Sequence, residues 1–470
     1  MSAPPLDDVV AAPQRWSVVP LLRRLHFYAG VFVAPFLIVA AVSGLLYSMA
    51  PQLDDLFYGD VLTVSPTGGS PLPLAEQVTA ARAAVPDGSV TGVVVAEDPD
   101  VVTQVVFSGI GDNSRTAYVD PYTARVQGQL TTWFGATPVT TWLDGLHRNL
   151  LLGEPGRVYS ELAASWLWVI SLAGLVLWLV RRRNSRRRVR ALLLPDPSAT
   201  GVRRTRSWHA SLGMWTLLGA LFLSVTGLTW STYAGDNFAA ALEALHAKTP
   251  VLDTSLPGTA STGSTGHGEH AGMSHGGTTP LDPTTFDRVL SAARTAGLDG
   301  PVEIDVASNP GNAWTAAQVD NTWPIRLDKI AVNPTSATIT ARTDFADRPL
   351  LAKLTTLGIQ AHMGRLFGLA NQIALFLLAA SILTLIVLGY RMWWQRRPTR
   401  TAVGAAPRRG AWQRLPLWAI VPAPLALIAV GWAIPLLGLS LLAFLILDTL
   451  TGAWVNRLPS GHTPRRGGMD

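Results

Sequence analysis

Cysteine is absent from all 470 residues. That excludes a disulfide, a thiolate zinc site, an iron–sulfur cluster, covalent haem attachment through C-x-x-C-H and a cysteine nucleophile. Any metal chemistry must therefore rest on His, Met and carboxylates. Charge is scarce as well: 14% of residues are Asp, Glu, Lys or Arg, against 48% hydrophobic residues and 17 Trp. With a positive mean hydropathy, this balance excludes an ordinary soluble chain and indicates a membrane protein in contact with a lipid bilayer. A net charge of +6 would suggest nucleic acid for a soluble protein. Here the basic residues follow membrane topology instead, and no nucleic-acid partner is expected.

Six apolar runs approach the ~20 residues that a helix needs to cross ~30 Å of hydrocarbon. They extend over Leu25 to Met49, Leu162 to Val180, Trp208 to Tyr233, Leu369 to Trp394, Leu415 to Ile434 and Leu436 to Trp454. The last two are interrupted by Pro416, Pro422, Pro424 and Pro435 and contain Asp448; a tight hairpin over 415–456 is the simplest reading, with a re-entrant pair as the alternative. The link 181–206 holds ten Arg and the link from 391 to 414 seven, whereas 51–160 and 236–361 hold five and eight basic residues. The positive-inside rule then puts both termini and both links in the cytoplasm, and the two long segments outside, in a multi-pass protein of the plasma (inner) membrane. Arg23 and Arg24 before the first run imitate a signal peptide, but the run is longer than an h-region and Pro51 would follow the cleavage point, so retention is expected.

Self-similarity organises the chain. Leu25-His26 is followed by Gly30 and by Ser43-Gly44-Leu45, as Trp208-His209 is followed by Gly213 and by Thr226-Gly227-Leu228. From His147 the steps +6, +27 and +31 reach Gly153, Gly174 and Trp178, and from His362 they reach Gly368, Gly389 and Trp393. The first four spans thus read as a duplicated unit. Each copy encloses an extracytoplasmic stretch, 50–160 and 234–366, with a helix (74–85 and 284–296) and short β-rich runs joined at Tyr118-Val119-Asp120-Pro121-Tyr122 and Ala331-Val332-Asn333-Pro334-Thr335. The fold class that follows is a membrane all-α bundle of about six helices carrying two small α+β modules.

Four of the nine His occupy equivalent places: His26 with His209, and His147 with His362. A single imidazole at a span boundary reads as an interfacial residue donating to a carbonyl. The set reads differently, because a pseudo-two-fold axis brings equivalent side chains toward each other. A His pair toward each face suits bis-His haem b, one or two per chain, with Gly30, Gly44, Gly213 and Gly227 lining the approach. Two haems near opposite faces would let electrons cross the low-dielectric slab. Trp178 and Trp393 read as belt residues or, alternatively, electron relays. The segment 258–280 is rich in Gly, Ser and Thr and carries His267, His270, Met273 and His275. It reads as a flexible loop, either a plain linker or a weak site for copper through mixed imidazole and thioether donors.

The motifs R-R-L-H-x-x-x-G at Arg23 to Gly30, W-H-x-x-L-G at Trp208 to Gly213 and H-x-x-x-L-x-G at His147 and at His362 give the chain a resemblance to the PepSY-associated transmembrane family, often labelled iron-regulated membrane proteins. It covers about 20–395. The resemblance implies PepSY-like outward modules and, from some members, a haem-containing siderophore or ferric reductase with those four His as ligands. A ferric or cupric ion or chelate would be reduced outside the membrane in metal uptake. Because no G-x-G-x-x-G follows a strand, a quinol or a separate reductase must donate the electrons. The alternative is a non-enzymatic receptor or accessory protein with structural His. A metal transporter is a third reading, weakened by spans almost without carboxylates.

Overall fold

The computed structural model describes residues 19–65, 68–109, 113–182, 188–256, 281–397 and 422–457. The chain forms two compact units, one from the residues up to Ile38, Arg157–Phe238 and those from Ser381 on, the other from Val39–Gly156 and Ala239–Ala380. In chain order the first elements are α1 (Val19–Phe32), α2 (Ala34–Tyr47), α3 (Ala50–Leu62), α4 (Leu74–Ala84), β1 (Ser89–Val95), β2 (Thr103–Ser108), β3 (Ser114–Val119) and β4 (Val126–Thr132). Then come α5 (Pro138–Asn149), α6 (Glu154–Arg182), α7 (Arg188–Leu193), α8 (Gly201–Leu228), α9 (Tyr233–Ala244) and α10 (Thr284–Thr295). The rest are β5 (Val302–Asp305), β6 (Trp314–Gln318), β7 (Lys329–Val332), β8 (Ile339–Thr343), α11 (Leu350–His362), α12 (Gly368–Gln395), α13 (Pro422–Ala433) and α14 (Pro435–Arg457).

Among the described residues three helices, α6, α8 and α12, are long and apolar enough to cross a membrane, and α1 with α2 makes a fourth candidate bent by 58°. The described residues do not confirm the expected six, and the run from Leu415 lies partly outside them. The expected first span breaks because Pro35 has no N–H for the Val31 carbonyl and its ring crowds that turn. The Tyr390 hydroxyl donates to the orphaned Val31 oxygen at 3.0 Å, which gives that carbonyl a partner. The sixth expected run forms α14, and of the fifth the structure describes α13. It pairs with α14 closely enough that a Cβ on Gly438 would stand 2.4 Å from the Gly431 Cα. Leu437, fully buried, packs with Ala29, Val33, Leu37, Ala163 and Trp166, and the Trp166 indole donates to the Ser440 hydroxyl at 3.0 Å.

The other unit is built on one eight-stranded antiparallel sheet in the order β4-β3-β2-β1-β5-β6-β7-β8. The two expected α+β modules therefore share a sheet. Each four-stranded meander would leave β1 or β5 as a bare edge, and pairing Val93 with Ile304 in antiparallel register satisfies both edges. The helix α4 and the helix α10 cover one face, with Val78, Ala81, Phe286, Val289 and Ala293 packed on Val93, Val105, Phe107, Ile304, Ala316 and Ile330. Asp287 joins them: its two oxygens accept from the Leu74 and Ala75 amides at 2.7 and 3.0 Å, capping the start of α4 where four N–H groups lack partners. The Asx-Pro turns form as expected. Asp120 accepts from the Tyr122 amide at 2.8 Å and Asn333 from the Thr335 amide at 2.9 Å.

Strand alternation sends Val302 and Ile304 into that core and Glu303 and Asp305 to the opposite face. Burial, the neighbouring Glu303 and only partial relief from Thr315 and Lys329 push Asp305 up to about 7, and burial raises Glu303 too. Folded Asp305 therefore keeps a proton that the unfolded chain releases above about pH 4, so stability falls as pH rises from about 4 to 7 and levels off beyond. Hydrogen exchange of β5 and β6 amides, corrected for intrinsic rates, should show stronger protection at pH 5 than at pH 8. Asp305→Asn should flatten that difference; an unchanged difference in the variant would assign it to other groups.

Candidate functional site

The four repeat-related histidines meet in two pairs, one in each unit. His26 on α1 and His209 on α8 have ring centroids 6.3 Å apart with planes at 80°. His147 near the end of α5 and His362 at the end of α11 stand 6.2 Å apart at 60°. Each pair brings together residues far apart in sequence, and all four rings are half-buried.

What holds three of the four imidazoles is a carbonyl opened by a glycine one turn further along a helix. His26 Nδ1 lies 2.9 Å from the Ile170 carbonyl oxygen, and a Cβ on Gly174 would stand 3.0 Å from His26 Cε1. His209 Nδ1 lies 3.0 Å from the Leu385 carbonyl oxygen, with Gly389 beneath the ring, where a Cβ would meet Cε1 at 3.8 Å. A carbonyl only accepts, so Nδ1 carries the proton and Nε2 is left with its lone pair. For His147 the carbonyl is that of Ala40, one turn before Gly44, which lies under the ring, 3.1 Å from Cε1 to an added Cβ. The Ser43 hydroxyl, which donates to the Val39 carbonyl at 2.7 Å, also lies 3.0 Å from His147 Nδ1. Burial pushes the His147 imidazole down, and burial with the charge of His147 pushes His362 to about 3. Both stay neutral at physiological pH, the form that ligates a metal.

Gly30 and Gly213 touch neither ring. A Cβ on Gly30 would meet nothing within 4 Å, and one on Gly213 only a Leu385 methyl at 3.9 Å. Gly30 follows His26 by one turn of α1, but the imidazole reaches across to α6 rather than along its own helix. The glycine that matters is consequently on the facing helix. Gly174 and Gly389 were visible in the sequence as repeat positions, though nothing there said which His they serve.

Two imidazoles that held one iron between them would have ring centres about 6 Å apart. Both pairs meet that demand. Among the described residues no group of three or more His, Asp or Glu side chains gathers as a metal site, so two imidazoles are what each site offers, and an iron held there needs its other four ligands from a macrocycle. The donor set fits haem, with His26 and His209 at one site and His147 and His362 at the other.

Of the remaining sequence candidates, Trp178 is buried rather than set in an interfacial belt, 6% exposed, with its indole donating to the Leu192 carbonyl at 3.2 Å. Trp393 packs edge-on against Phe27 at 6.3 Å. His267, His270, Met273 and His275 lie outside the described residues. Sequence reasoning missed the partner of Asp448, which forms a buried ion pair with Arg24, two residues before His26.

No curated protein matches the chain. The sequence profile of the PepSY-associated TM region matches residues 23–396, from just before His26 to just past α12, and the chain belongs to that family.

Proposed function

We infer that this membrane protein carries electrons across the plasma membrane and delivers them to a ferric or cupric ion or chelate on the outer side, in the service of metal uptake. The observation that carries the reading is the recurrence of one spacing, 6.3 and 6.2 Å, at two separate imidazole pairs. Haem b bound between each pair would supply the one-electron carrier. The chain's own part is to present neutral imidazoles from both sides, to lock the tautomers of His26 and His209 by Nδ1–H donation to the Ile170 and Leu385 carbonyls, and to keep water away from the rings. Equal element order in the two halves and the mirrored strand order about β1 and β5 support a duplicated unit. The Arg-rich links support cytoplasmic termini, with His26 and His209 toward the cytoplasm and His147 and His362 toward the outside. A quinol or a separate reductase would supply electrons.

An absorption spectrum tests this. Purified protein should show Soret and α bands that sharpen on dithionite reduction, with a pyridine haemochrome giving two haems per chain. A colourless protein after expression with ample haem would retire electron transfer in favour of a receptor or accessory role with structural His.

A further inference from the structure

We propose that Arg365 and Gln372 form a carboxylate-binding site three residues on from His362. An open cleft of about 390 Å³ is lined by Tyr47, Asp54, Asp320, Arg365, Gly368 and Gln372 among others. Its volume lies in the range of small-ligand sites, roughly 300–1,000 Å³. The acids of the cleft already have donors. Asp320 is paired with Arg326 at 2.7 Å, and the Asp54 oxygens accept from the Thr137 and Thr140 hydroxyls at 2.5 to 3.1 Å. Arg365 is different. It is exposed, donates to the Tyr47 hydroxyl, and has no carboxylate within 4.0 Å among the described residues.

A second feature is independent of that side chain. Gln372, on the second turn of the 28-residue helix α12, lines the same cleft. Gln372 accepts from Gln52 through Oε1 at 2.9 Å, which leaves its amide nitrogen to donate. A planar fork of guanidinium donors and a side-chain amide N–H together match a carboxylate. The location narrows the source to two. Arg365 follows His362 by three residues, so the carboxylate is either a propionate of a haem held by His147 and His362 or a carboxylate of a soluble ligand that docks next to it. The second source rests on the electron-transfer reading for its purpose but not for its binding.

The test uses the full chain in nanodiscs as wild type, Arg365→Gln and Arg365→Lys. Haem loss to an excess of an apoprotein scavenger and citrate binding by calorimetry are the two readouts. If the partner is a propionate, Arg365→Gln should lose one haem about 10-fold faster, Arg365→Lys should fall between, and citrate should bind only the haem-free protein. If the partner is a soluble carboxylate, haem loss should be as in wild type while citrate affinity drops about 10-fold or more in Arg365→Gln. A colourless wild type that binds citrate through Arg365 would keep this site and remove the electron-transfer reading. Haem loss and citrate affinity both within about 2-fold of wild type in Arg365→Gln would overturn the proposal.

Discussion

Replacing His209 by alanine should remove the signal of one haem and leave that of the other, roughly halving the Soret absorbance per chain, and should abolish electron delivery to an external acceptor. The imidazole sits across from His26 at 6.3 Å, and no other His, Asp or Glu joins the two as a metal-ligating group among the described residues. His26 alone would then offer a single axial donor. The second pair belongs to the other compact unit, so its ligands remain. Folding should survive, because the ring is lost from a site already opened by Gly389. The Leu385 carbonyl loses one donor, a penalty of about 1–3 kcal/mol. Membrane insertion should be untouched, since the ten Arg of the 181–206 link, which set the orientation on the proposed topology, are unchanged. The measurement is a haemochrome assay beside a protease-protection assay. Full haem content in the variant would show that His209 holds no iron. A change at Gly174 to leucine should act on His26 in the same sense, since even a Cβ there would press on the ring at 3.0 Å.

The pairing of these histidines was legible because duplication leaves a local trace. Equal offsets from His147 and His362 to a glycine and a tryptophan need no three-dimensional knowledge, and helix-period apolar spacing foretold 74–85 and 284–296 to within a residue or two of α4 and α10. The Asx-Pro turns were equally readable, because an Asp or Asn side chain closing on its own backbone two residues on is a local event. What escaped was tertiary. Whether two meanders stay apart or join along β1 and β5 depends on edge-to-edge pairing between residues some 200 positions apart, which strand patterning does not encode. The break at Val33 has a visible cause in Pro35, yet a proline inside an apolar run is also compatible with a gently bent span, and the decision falls to Tyr390 on α12. The roles of Gly174 and Gly389 lay hidden for a similar reason: a repeat reveals that a position is constrained, and only the facing ring reveals by what.

The largest stability effect expected anywhere in the chain comes from Asp448. It lies on α14, beyond the end of the family match at residue 396, and its carboxylate meets Arg24 of α1 across 424 positions of sequence. Both side chains are buried, 7% and 4% exposed, and the Arg24 guanidinium also lies 5.3 Å from the centre of the Tyr28 ring. Asp448→Asn should cost about 3–5 kcal/mol, because a buried guanidinium is left without its counter-charge. The hairpin of α13 and α14 would then depend on Leu437, the Trp166–Ser440 bond and the Asn237 donation to the Trp432 carbonyl. Removing both charges should be far milder: Arg24→Leu with Asp448→Leu takes away the desolvation cost of two ions along with their attraction, and such exchanges are often neutral. Unfolding titrations in mixed micelles, with proteolysis of the hairpin as a local probe, would give the coupling between the two positions. If the double replacement loses as much as the two single ones added together, the pair is not what holds α14 to α1, and apolar packing around Leu437 carries that contact instead.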